Sequence, residues 1–119
     1  MTDQKPADIR SESIKQMCLT ALEDMKALEI VTLDVRQQST FTDTMIFASG
    51  TSSRHVSSIA DSVAQAAKDS GNPALGVEGA DIGEWVLVDL GDVIVHIMLP
   101  DIRRFYDLEK LWGEELLVS

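Results

Sequence analysis

The sequence predicts a single-domain α/β fold, a mixed β-sheet of about five strands flanked by helices. Three observations carry that expectation. A chain of 119 residues with 45% apolar and 25% charged side chains has room for one core and the apolar mass to build it. Apolar residues recur at three- and four-residue steps in some stretches, and β-branched runs lie between those stretches. Residues 90–92 join two of those runs too tightly for anything but an antiparallel hairpin.

Taken in order, residues 1–10, with Pro6, read as a flexible tail ahead of a domain spanning 11–119. Ser11 is placed to cap a first helix, in which Ile14, Met17, Cys18, Ala21, Leu22, Met25 and Leu28 share one face. Lys15, Glu23, Asp24 and Lys26 occupy the opposite face. Residues 30–35 alternate and are β-branched, which predicts a strand. Residues 44–49 are apolar nearly throughout, as a central strand covered on both faces requires. The 50–53 segment then turns and offers hydroxyls to cap a second helix, whose buried stripe is Val56, Ile59, Ala60, Val63, Ala66 and Ala67. Gly71, Asn72 and Pro73 stop it. A short edge strand is expected around residues 75–77, followed by clear strands at 85–89 and 93–99. Pro100 and Asp101 open a last helix carrying Phe105, Tyr106, Leu108, Leu111 and Trp112.

Charge narrows the function classes. Twenty acidic residues against 10 basic ones give a net charge of −10. Such a surface repels a phosphate backbone, which proteins grip mainly through cations, so direct DNA binding is excluded as an expectation. The same charge attracts a basic partner and speeds its encounter. One cysteine, Cys18, lies in the first helical pattern, so it can form no intramolecular disulfide and reads as a buried, inert thiol. The first residues are polar and lack the apolar run of a signal peptide. No segment approaches the ~20 apolar residues that a membrane crossing needs. A cytoplasmic protein with no membrane association is the expectation.

Several residues could carry chemistry, and each has a plainer reading. The 50–54 turn lies between a buried strand and a helix, where amides can hold an anion, but it lacks the full phosphate-loop and dinucleotide patterns. A capped strand-to-helix turn is the better reading. Asp89 and Asp92 flank a hairpin, where carboxylates serve nearby amides more readily than a pair of metal ions. His55 and His96 have no cysteine beside them for a zinc site, and no spacing of serine and carboxylate suggests a triad. Both read as hydrogen-bonded structural or interface histidines. Trp85 begins a strand just after Glu78, Gly79, Asp81, Gly83 and Glu84, so an apolar anchor beside carboxylates competes with a core tryptophan. Neither a catalytic residue nor a metal or cofactor site is expected.

With these segments laid out, the sequence resembles the ribosomal silencing factor (Iojap) family. The first half of the likeness runs through Asp34 and Val35, Ser39 and Asp43, then Gly50-Thr51-Ser52-Ser53-Arg54-His55-Val56 with Ile59-Ala60-Asp61. Its most specific stretch is Trp85-Val86-Leu87-Val88-Asp89-Leu90-Gly91-Asp92-Val93-Ile94-Val95-His96. Arg103, Phe105-Tyr106, Leu108-Glu109 and Leu111-Trp112 follow in family order. Met98 and Leu99 replace bulkier residues, and residues 1–10 have no counterpart.

The resemblance implies a sheet similar to the nucleotidyltransferase core but without its catalytic carboxylates. It implies a protein that is not an enzyme and that binds the large ribosomal subunit through a basic component, its fourteenth protein. Occupying that place would block joining of the small subunit and repress translation when nutrients are scarce, and a homodimer is implied for the free protein. The expected contact is the sheet face around Trp85 and Leu87, with Asp89, His96, Arg103, Tyr106 and Glu109 around it. Two rival readings stand beside this one: a large-subunit assembly factor, and a nucleotidyltransferase using the Gly50 turn and Asp89.

Overall fold

The structure is a computed structural model that describes residues 6–112. Residues 1–5 of the expected tail and residues 113–119 of the expected domain lie outside the described residues. In chain order the elements are α1 (Pro6–Asp24), β1 (Leu28–Asp34), β2 (Thr44–Ser49), α2 (Ser53–Asp69), β3 (Gly76–Glu78), β4 (Trp85–Asp89), β5 (Val93–Met98) and α3 (Pro100–Tyr106). The strands form one mixed sheet in the order β1-β2-β5-β4-β3. Only β2 and β5 run parallel; every other neighbouring pair is antiparallel. The α/β class read from the sequence is the one observed.

Burial follows from this order. β2 and β5 lie at the centre and are buried at every position, which is why their sequences are apolar without alternation. β4 alternates, with Val86 and Val88 turned into the core and Trp85, Leu87 and Asp89 on the other face. One face of the sheet receives Ile14, Cys18, Ala21 and Leu22 from α1 and Val56, Ile59, Ala60, Val63 and Ala67 from α2. Each fully buried aliphatic side chain there contributes about 1.5–3 kcal/mol. Cys18 is fully buried, and desolvation pushes its thiol up to about 12, so it carries no thiolate at neutral pH. Among the described residues the opposite face is covered only in part, around Val35, Met45, Phe47 and Met98, by α3 and a helical turn at 108–112.

Three local expectations change. α1 is already formed at Pro6, whose fixed φ suits a first turn, so Ser11 lies inside the helix and does not cap it. Leu28 leaves the helical stripe and begins β1, after a turn in which Lys26 takes φ 59°. The last helix is broken at Asp107, which adopts a left-handed conformation and caps α3 by donating its N–H to the Arg103 carbonyl. α2 behaves as read. Ser52 accepts the His55 N–H at its start, and Gly71 with φ 87° ends the segment.

A candidate docking face on the open side of the sheet

Strand register brings the expected residues together. Cross-strand partners share a face, so one row runs Glu78, Leu87, His96, Phe47 and Val31 across all five strands. The neighbouring row runs Trp85, Met98, Ser49 and Leu28, and the next runs Asp89, Ile94, Met45 and Leu33. This face points away from α1 and α2.

At its centre His96 stacks on Phe47, with ring centroids 5.0 Å apart and planes 8° from parallel. The Trp85 indole Nε1–H donates to His96 Nδ1 at 3.1 Å. That bond requires Nδ1 to accept, which puts the neutral ring's proton on Nε2. His96 is 6% exposed, and desolvation lowers its pKa to about 4, so it is uncharged at neutral pH. Trp85 is half-buried, packed against the Phe47 cluster on one side and against Tyr106 at 4.9 Å on the other. Its indole N–H is tied into the fold, while the residue as a whole is only partly buried. Tyr106 is half exposed and Phe105, edge-on to it at 5.0 Å, is 80% exposed. An aromatic step from the sheet to solvent is what binding hot spots are made of.

The remaining expected residues divide. Leu87, half-buried, lies beside His96. Asp89 sits at the far end of β4, where its Oδ1 accepts the Gly91 N–H at 2.9 Å and shapes the hairpin turn. Asp92 pairs with Arg10 at 3.2 Å. Arg103 is buried, and its guanidinium donates to both Glu109 oxygens, the shortest bond being 2.8 Å, and to Ser49 Oγ at 3.0 Å. Arg103 and Glu109 thus bind one another beneath the aromatic step. Phe47 and Phe105 were not among the expected contact residues. Phe47 stands in an unbroken apolar run whose register no periodicity discloses, and Phe105 follows the same helical pattern as Leu108, which packs on the sheet.

The two motifs with plainer readings are built as turns. A Cβ on Gly50 would lie 2.9 Å from the Val56 amide, so only glycine fits the start of α2. His55 Nδ1 accepts the Thr51 N–H at 2.9 Å, and Nε2 donates to the Met25 carbonyl at 2.8 Å. The ring ties the end of α1 to the start of α2.

Comparison with known proteins decides the family. The sequence profile described as "Ribosomal silencing factor during starvation" matches residues 8–118. The chain belongs to the ribosomal silencing factor family. Ribosomal silencing factor RsfS of Chromobacterium violaceum is 45% identical over 102 residues, 86% of this chain and 84% of the relative. A Mus musculus relative, named mitochondrial assembly of ribosomal large subunit protein 1, is 33% identical over 90% of this chain and 49% of its own length. A crystal structure of a Chromobacterium violaceum protein superposes with a TM-score of 0.84 at 45% identity, covering 86% of this chain and 85% of that one. The ribosomal silencing factor family is named for regulation rather than for a reaction, in keeping with the regulatory reading of the sequence. Among the described residues no helix is long and apolar enough to cross a membrane.

Proposed function

We propose that this protein docks on the large ribosomal subunit through the face around Trp85 and, seated there, prevents the small subunit from joining. Membership of a family of silencing factors supports the regulatory reading. The single observation that carries the choice of surface is the exposed aromatic step of Trp85, Tyr106 and Phe105 on the side of the sheet that the two long helices leave open. Its occupant would be a basic ribosomal protein, the fourteenth of the large subunit, which suits a chain of net charge −10. Trp85, Leu87 and Tyr106 are the proposed anchors, with Asp89 at their margin and the buried His96 orienting Trp85 from beneath. Arg103 and Glu109 hold α3 in place behind them. The mechanism is steric, so translation falls, under nutrient limitation, without a chemical step. The free protein would act in the cytoplasm and pair with a second copy until it meets a subunit.

The test is subunit association with purified protein added. Joining should fall as the protein approaches saturation, and normal joining at saturation overturns the steric mechanism. Tyr106→Ala, which removes a half-exposed ring, and Trp85→Ala should each remove co-sedimentation with large subunits while the circular dichroism of the fold persists. Retained binding by both folded variants moves the contact elsewhere.

A second reading has its own support. The mouse relative is named for assembly of the large ribosomal subunit, so this protein could ride on immature particles. Fractionating growing and starved cells separates the two: silencing places the protein on mature subunits, assembly on precursors.

A further inference from the structure

His96 uses only one of its two ring nitrogens inside the fold. Nδ1 accepts the Trp85 indole N–H at 3.1 Å, whereas Nε2 has no hydrogen-bond partner among the described residues. The residue is nevertheless only 6% exposed. A polar group so placed is uncommon, because keeping it dry costs as much as losing a hydrogen bond.

Its position explains how the fold tolerates it. Nε2 is one of the two ring atoms farthest from Cβ, and a strand side chain stands roughly perpendicular to its sheet, so this nitrogen lies on the outer side of the ring. It is not sealed in. Among the described residues the buried side-chain polar atom left without a partner is Gln38 Oε1, and His96 Nε2 is not one. The small exposed part of His96 therefore includes this nitrogen, on the floor of the docking face between the Phe47 ring at 5.0 Å and the Trp85 ring at 6.0 Å.

The chemistry of that floor is fixed as well. Because Nδ1 accepts, the neutral ring carries its proton on Nε2, and burial, which lowers the pKa to about 4, keeps the ring neutral. An uncharged N–H donor is thus framed by two aromatic rings and by Leu87, the cross-strand partner of His96. Such a donor calls for an oxygen acceptor. A chain of net charge −10 repels a carboxylate, which leaves a neutral oxygen such as a main-chain carbonyl.

We propose that His96 is a specificity-determining contact of this face, its Nε2–H donating to a main-chain carbonyl of the docked protein partner. The inference rests on docking at the Trp85 face and adds to it a polar contact that fixes register. The rings gain from any apolar surface laid on them. A partner with no oxygen above His96 leaves the N–H unpaired once water is excluded, whereas one with a carbonyl there completes it.

The free chain is tested first. Long-range nitrogen–proton spectra of the isotope-labelled full chain at neutral pH should place the His96 proton on Nε2, and a proton on Nδ1 overturns the proposal. Binding to purified large ribosomal subunits is then measured by co-sedimentation for three variants. His96→Asn keeps an oxygen near the place of Nδ1 for the Trp85 N–H but has no group at Nε2, and it should weaken binding about tenfold. His96→Gln carries an amide N–H close to where Nε2 lies and should recover most of that loss. Trp85→Ala reports on the docking face itself. If Trp85→Ala abolishes binding while folded His96→Asn binds as the parent does, or if Gln loses as much as Asn, the donor role is overturned and docking stands. If all three bind as the parent does, the docking reading falls with it. Should His96→Asn fail to fold, the Gln variant decides alone, and a loss of about tenfold in that folded chain overturns the proposal.

Discussion

His96 faces Phe47 and receives the Trp85 N–H, and burial there desolvates its imidazole and lowers its pKa to about 4 against an ordinary 6.5. The unfolded chain accepts a proton near pH 6.5 that the folded one refuses until about 4. Stability is therefore whole above the unfolded value and drains as pH falls through that window, by up to about 3 kcal/mol. Melting temperature followed from neutral to mildly acidic pH should drop in the parent and drop less in His96→Gln, whose side chain cannot take up the proton. Equal slopes would remove His96 as the cause. Asp34 and Glu12 add to acid sensitivity with the same sign, but their lowered values place that loss below the ordinary carboxylate range. The role of His96 was legible in the sequence as a hydrogen-bonded histidine. Its partners were not, because they come from two other positions fixed only by register, Phe47 on β2 and Trp85 on β4.

Among the elements, α3 and the turn after it are joined by one ion pair between the buried Arg103 and the partly exposed Glu109. Arg103 sits before the left-handed Asp107 and Glu109 after it, so their bidentate bond closes the kink and pins it to Ser49 of β2. Glu109→Gln leaves a buried guanidinium short of its counter-charge and should cost about 1.5–3 kcal/mol in chemical denaturation. Arg103→Met combined with Glu109→Leu should cost less than the two single changes added together, since neither leaves a charge behind. A neutral Glu109→Gln would show that the pair does not hold the kink. This is also where the sequence was least informative. Residues 100–112 have an unbroken helical periodicity and no glycine at the break, because the interruption is set by a side-chain pair rather than by a residue that stops helices. By contrast, α2 and the 90–92 hairpin were legible, since a capping serine, a stopping glycine and a three-residue link act locally. The parallel pairing of β2 with β5 was not, because two apolar runs without alternation can be paired in any register.

For the molecule as a whole, the proposed docking gives charge and the aromatic face separate duties. A net charge of −10 acts at a distance and is screened beyond about 8 Å at physiological salt, whereas the rings act only at contact. In a surface-binding experiment with large subunits, raised salt should slow association and leave dissociation almost unchanged. Tyr106→Ala should do the reverse. If salt accelerates dissociation instead, charged pairs and not the rings hold the complex. The two ends of the sheet have a consequence of another kind. β3 offers only three residues, and β1 is bulged between Leu28 and Val31, with Glu29 at φ 49°. Both rims are poor templates for a further strand, because one is short and the other is bulged at its start, leaving only Val31–Asp34 regular. A chain that carries uncovered rings on one face thus has edges that resist strand-by-strand growth into fibrils.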